Sequence, residues 1–227
     1  MRKFIWGIIL LCSCFYVFAS TDFQEGKHYQ QVPIEAFQNE LVQELKAKYP
    51  KKILVVEFFS YGCHWCHELE PHLKTWLETH KADYVEFVRI PVVFQSSWLN
   101  LSKAYYSAEQ LGILDKFHAA MFTAIHEEKL QSSTQEALAS FFETQGVAKK
   151  DFLKVFRSFG VEQQAKQANQ LSMIFKITAI PTFVIQGENN ALITSTRMVG
   201  GEAQVFDLIS ALVKEEHRVL MSVENSN

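Results

Sequence analysis

The chain has 227 residues, with 22 Lys and Arg against 25 Asp and Glu and a formal net charge of −3 at neutral pH. That balance, without any basic run interleaved with aromatics, excludes nucleic acid as the partner that function depends on. The length suits one large domain or a domain with a sizeable insertion, and the 19 phenylalanines point to an aromatic interior or, for some of them, an apolar binding face.

At the N-terminus, Arg2 and Lys3 precede an apolar run from Phe4 to Phe18 that ends in Val17-Phe18-Ala19, the small-residue cleavage pattern of a signal peptide spanning 1–19. Cleavage leaves about 208 residues and removes Cys12 and Cys14, so Cys63 and Cys66 become the only thiols. No structural disulfide can then form within one chain. A lipoprotein carrying an acylated Cys14 is the weaker alternative, because a further apolar run follows that cysteine.

Gln30-Gln31-Val32 reads as a short edge strand stopped by Pro33. A helix is predicted from Glu35 to Lys48 with Phe37, Leu41 and Leu45 on its buried side, ended by Pro50. Lys52 to Ser60 is apolar enough for a strand covered on both faces. Leu69, Leu73, Trp76 and Leu77 then recur at helical spacing to about Thr79, with Pro71 inside that helix and a bend expected there. Tyr84 to Val93 is the next strand.

From Ser97 to Lys176 helix signals replace strand signals. The apolar spacings are Tyr105, Ala108 and Leu111; Phe117, Met121, Ala124 and Ile125; Leu138, Phe141 and Phe142; Phe152, Val155, Phe156 and Phe159; and Ala165, Ala168, Leu171 and Phe175. Ser133 and Glu136 read as a capping box for the third of these helices, Gly146 closes it, and Gly160 ends the fourth. Strands return at Thr182–Gln186 and Leu192–Thr196 around the turn Gly187-Glu188-Asn189-Asn190, and a last helix runs from Glu202 to Lys214 with a frayed tail after Arg218. The order is β-α-β-α-β, a helical block, then β-β-α. The closing elements can complete the sheet that the opening ones began.

Chemistry concentrates at Cys63-His64-Trp65-Cys66, where the buried strand hands over to a helix. A sulfur at a helix N-terminus faces unpaired N–H groups and the positive end of the helix dipole, which favour its thiolate. Cys63 is the expected attacking sulfur and Cys66, a turn inside, the resolving one. Glu57, inside Val55-Val56-Glu57-Phe58-Phe59, is costly to bury unless something pairs or uses it, and the alternative is a side chain turned to solvent. His64 is placed to touch the thiolate or to miss it; His67, His72 and His80 read as solvated helix residues.

The lead-in Glu57-Phe58-Phe59-Ser60-Tyr61-Gly62-Cys63, the CxxC, the helical insertion and Thr178-Ala179-Ile180-Pro181-Thr182 together resemble the thioredoxin-fold oxidoreductases, most closely the periplasmic disulfide oxidases of DsbA type. The resemblance covers nearly the whole chain after Ala19. It implies an α/β thioredoxin fold in two parts, 20–96 and 177–227, separated by an all-helical subdomain at 97–176. It also implies a cis Ile180–Pro181 bond that helps hold substrate backbone, a buried acid at Glu57 with a raised pKa, and Arg89 as its basic partner. Implied partners are reduced exported polypeptides and a membrane quinone-linked reoxidising protein of DsbB type. A monomer without cofactor or metal, working in the periplasm, is expected.

One departure bears on potency. Strongly oxidising members carry Pro-His between the cysteines; here His64 and Trp65 tune the site instead, and an intermediate potential is expected. Other readings remain open. A reductase or isomerase would use the same fold, and an apolar groove alone would make a chaperone. Cys63 to His67 also spells the c-type haem attachment signature. Zinc lacks a third ligand on the correct side of the helix.

Overall fold

A computed structural model describes residues 23–130 and 134–224. The expected signal peptide, with Cys12 and Cys14, lies outside the described residues, as does Ser133. Among the described residues, no helix is long and apolar enough to cross a membrane.

The strands are β1 (Gln30–Gln31), β2 (Ile53–Phe59), β3 (Val85–Pro91), β4 (Thr182–Gln186) and β5 (Ala191–Ser195). They form one mixed sheet in the order β1-β5-β4-β2-β3. β2 runs parallel to β3 and antiparallel to β4, and all of its residues are buried. Its nearly continuous apolar sequence reflects cover on both faces.

Alternation along β2 divides the core. Ile53 and Val55 face α3 (His64–Thr79) and α10 (Glu202–Glu224), meeting Leu69, Leu73 and Trp76 from the first and Val205 and Ile209 from the second. Leu54, Val56 and Phe58 join the core that packs under the helical block. Pro71 is accommodated inside α3, which continues to Thr79.

The block comprises a 3₁₀ turn at Ser96–Trp98 followed by α4 (Leu99–Gln110), α5 (Leu114–His126), α6 (Gln135–Thr144), α7 (Lys149–Phe156) and α8 (Phe159–Ile174). Its interior is a run of packed rings: Phe117 lies 4.5 Å from Phe142, Phe142 4.1 Å from Phe152, and Phe152 5.1 Å from Phe156, between centroids. Most of the phenylalanine content is core.

The structure corrects several element boundaries. The helix expected over 35–48 is two, α1 (Ile34–Phe37) and α2 (Glu40–Ala47), because Asn39 turns extended and its side chain accepts from the Leu41 N–H. Thr134, one residue after Ser133, caps α6 through the Ala137 N–H. Ser158 caps α8, so Phe159 and Gly160 open that helix instead of closing α7. Phe159 is therefore 79% exposed rather than core.

At the C-terminal end, α9 (Thr196–Val199), capped by Ser195, follows β5 directly. α10 continues past Lys214 and Arg218 to Glu224. The segment after Arg218 that was expected to fray is thus helical, and just before it His217 stacks on Tyr84 with centroids 3.7 Å apart while Arg218 pairs with Glu215.

Candidate active site

Cys63 occupies the N-cap of α3 with extended backbone, φ −94° and ψ 115°. Its Sγ accepts from the Cys66 N–H at 3.3 Å. The cysteines are unbonded to each other, and Cys63 keeps 8% of its surface exposed whereas Cys66 keeps none. Attack from outside can reach only the first sulfur.

The two thiols diverge in acidity. Hydrogen bonding from the Cys66 thiol, helped by the backbone N–H groups of Cys66 and Trp65, brings Cys63 down to about 7 against the opposing effect of burial. Burial and the neighbouring Cys63 hold Cys66 well above the usual thiol range. One sulfur is thus a thiolate near neutral pH while the other keeps its proton. The pair can exchange disulfides with an incoming thiol, the exposed sulfur taking the bond and the inner one resolving it.

On the other side of Cys63, its Sγ lies 3.7 Å from the carbonyl oxygen of Ile180, whose bond to Pro181 is cis. A groove of about 460 Å³ opens there, walled by Trp65, Ile180, Pro181, Thr196, Arg197 and Glu202. Trp65 is 64% exposed and forms its rim. Behind the nucleophile, Trp98 covers Gly62 so closely that a Cβ at that position would stand 2.4 Å from the indole nitrogen.

Glu57 is completely buried on β2, and the parallel register puts Arg89 of β3 beside it. Arg89 Nε donates to Glu57 Oε2 at 3.1 Å, and its Nη2 reaches Glu70 Oε2 at 3.5 Å. Glu57 does not turn to solvent. Burial raises its carboxyl to about 8, opposed by Arg89 and assisted by the charge of Glu70.

His64 is exposed, its ring beside Trp65, and Cys63 draws its acidity from other groups. His72 on α3 and His80 at its C-cap are exposed, as expected. His67 departs from that expectation: it is half-buried, stacked on His126 with centroids 4.8 Å apart, and 3.5 Å from Glu127.

Sequence reasoning assigned no role to Tyr61, Glu70, His118 or His126. His126 Nε2 lies 2.8 Å from the Tyr61 carbonyl oxygen, steadying the loop before Cys63. Tyr61 Oη lies 2.9 Å from His118 Nδ1, and His118 Nε2 lies 3.2 Å from Glu70 Oε1. Glu70, one turn after Cys66 on the same face of α3, could have been found by helical spacing. The two histidines come from the helical block, and no local pattern marks them.

A family model described as a DSBA-like thioredoxin domain matches residues 87–213. The Burkholderia cepacia thiol:disulfide interchange protein DsbA is 37% identical over 165 residues, 73% of this chain and 77% of that protein. The Pseudomonas aeruginosa protein of the same name is 33% identical over 218 residues, 95% of this chain and 97% of its own. The crystal structure of Pseudomonas aeruginosa DsbA superposes with a TM-score of 0.74 at 31% identity, covering 89% of this chain and 98% of that one.

Proposed function

The chain belongs to the DSBA-like thioredoxin-domain family and is a thiol:disulfide oxidoreductase; on that premise we propose the following roles for its residues. In the oxidised form, a substrate thiolate attacks Cys63 Sγ and the Cys63–Cys66 bond breaks. Cys66 leaves as a thiolate and takes a proton from the Glu57 carboxyl. A second substrate thiolate then attacks the substrate sulfur of the mixed disulfide, and Cys63 departs as a thiolate. The substrate dithiol is oxidised by two electrons, and the enzyme disulfide is reduced to a dithiol.

The observation that carries this reading is the opposite acidity of two sulfurs three residues apart: an accessible one brought down to about 7 and an inaccessible one held high. A low-pKa leaving group at Cys63 favours release of oxidised substrate, which is the direction of an oxidase. Ile180 and Pro181 hold the substrate backbone beside the sulfur, and the groove under Trp65 receives its flanking side chains. His64 and Trp65 tune the site from the rim.

Reduced exported polypeptides are the clients. The 1–19 leader directs the protein to the periplasm, and a membrane quinone-linked protein of DsbB type returns it to the disulfide form. Residues 97–176 act as an inserted helical subdomain of a monomeric enzyme. The deciding experiment equilibrates the Cys63–Cys66 disulfide with glutathione. An oxidising potential, with catalysed disulfide formation in a reduced client, is expected; a strongly reducing potential would make the protein a reductase.

A further inference from the structure

A buried carboxylate, Glu57, and a half-buried one, Glu70, share one guanidinium beneath the dithiol, and a third group decides between them. In an interior of low dielectric, Glu57 and Glu70 cannot both stay ionised around Arg89 without cost, so one of them holds a proton. The proton falls to the carboxyl with fewer donors. Glu57 Oε1 is buried with no hydrogen-bond partner among the described residues, whereas Glu70 has both Arg89 and His118.

The tautomer of His118 follows from its neighbours. Glu70, which against the effect of burial His118 and Arg89 hold below the usual carboxylate range, can only accept from Nε2. The Tyr61 phenol, kept protonated by burial with its Oη 2.9 Å from Nδ1, then donates to a bare ring nitrogen. Burial together with the charge of Arg89 disfavours the imidazolium, despite the bond to Glu70. The ring hydrogen of the neutral form therefore sits on Nε2 and points at Glu70 Oε1. The ionisable groups around this centre are Arg89 on β3, Glu70, His67, Cys63 and Cys66 on or capping α3, Tyr61 in the loop before it, and Tyr105 on α4, whose ring stands 6.4 Å from His118 and which burial keeps protonated.

We propose that His118 is a positioning residue for Glu57: by donating from Nε2 to Glu70 it fixes Glu70 as the anionic partner of Arg89 and leaves Glu57 as the carboxyl that carries the proton for Cys66. The inference rests on the reading of Glu57 as proton donor to the resolving thiol, and adds that a side chain of the helical block selects which acid does the work. Oxidation-state chemistry at the sheet is thereby tied to correct seating of the helices.

The test is direct titration of the two carboxyls by NMR of the reduced protein labelled with carbon-13 at the glutamate carboxyls, in wild type, His118→Phe and His118→Gln. With the donor removed in His118→Phe, the Glu57 midpoint falls and the Glu70 midpoint rises, each by about one pH unit. His118→Gln keeps an N–H donor near the Nε2 position and restores both midpoints toward wild type. His118→Asn, which retains a partner for Tyr61 but drops the donor to Glu70, replaces His118→Phe if that variant fails to fold. Unchanged midpoints in the donor-free variant overturn the proposal. The underlying reading is tested separately by Glu57→Gln: if the pH dependence of mixed-disulfide formation by the oxidised protein, the step in which Cys66 leaves, is the same as in wild type, Glu57 is not the proton donor, whatever the two midpoints show.

Discussion

The Sγ of Cys63 lies 3.7 Å from the carbonyl oxygen of Ile180, 117 residues further along the chain. One contact thus joins the helix that carries the nucleophile to the loop that precedes β4, with the whole helical block threaded between them. A substrate reaching Cys63 meets backbone from both segments, and the chemistry depends on both being in place.

The acidity of Cys63 is the first quantity to measure. Thiolate absorbance of the reduced protein should rise with a midpoint near pH 7, and alkylation by iodoacetamide should follow the same curve. Cys63→Ser abolishes exchange, while Cys66→Ser, whose Cys63 thiolate can still attack a client disulfide, accumulates mixed disulfide with an oxidised client. A midpoint at the ordinary thiol value would remove the basis of the exchange reading.

Trp65 separates acidity from client binding. Its backbone N–H contributes to holding the thiolate, whereas its side chain is exposed at the groove. Trp65→Ala should leave the Cys63 midpoint within about half a pH unit of wild type while raising KM for a polypeptide client several-fold. If the midpoint instead climbs by a full unit, the indole itself shields the sulfur.

Glu57 makes stability depend on pH. Its folded carboxyl titrates at about 8, against an unperturbed value of 4.5. Between those values the native state holds a proton that the unfolded chain has lost, so stability is fullest below pH 4.5 and is lost as pH rises through 8. Urea unfolding of reduced Glu57→Gln should show this slope flattened, the variant gaining on wild type toward pH 8 by an amount on the order of a few kcal/mol. Parallel pH profiles for the two proteins would contradict it.

Gly62 is required for a steric reason. Its Cβ would stand 2.4 Å from Trp98 Nε1, so Gly62→Ala must displace the indole, at about 1–3 kcal/mol. Thermal unfolding of Gly62→Ala, Trp98→Ala and the double variant makes the check. The double variant should lose less than the two single losses combined, because the clash is gone once the indole is removed.

Lys176 sits at φ 53°, a left-handed conformation that side chains with a Cβ adopt at a cost. It is exposed just past the end of α8. Lys176→Gly should therefore change stability by no more than about 1 kcal/mol and in the stabilising direction, the gain offset by the greater freedom of glycine in the unfolded chain. A large loss in urea unfolding would mean that the lysine side chain makes a contact worth more than its backbone costs.

Where the fold was legible in the sequence, one pattern dominated. β2 announced itself through an apolar run, and α3 through its spacing of Leu69, Leu73 and Trp76. Boundaries went astray where a short polar side chain outranked periodicity: Asn39 split one expected helix, and Ser158 moved Phe159 and Gly160 from the end of one helix to the start of the next. The cysteines and Glu57 were readable because each is anomalous in its local context, a thiol pair at a strand-to-helix junction and a charge inside an apolar strand. His118 and His126 were not, since their importance comes only from tertiary placement beneath Tyr61 and Glu70. Nothing adjacent to them in the chain distinguishes them from surface histidines.

β2 takes one neighbour, β3, from the residues that follow it closely, and the other, β4, from beyond the helical block. During synthesis, the N-terminal portion thus emerges with an unpaired strand edge until the last fifth of the polypeptide arrives. Ordering of the nascent protein is gated by the arrival of β4, so a catalyst of oxidative maturation must itself wait, half-assembled and vulnerable to pairing with other chains, for its final segment.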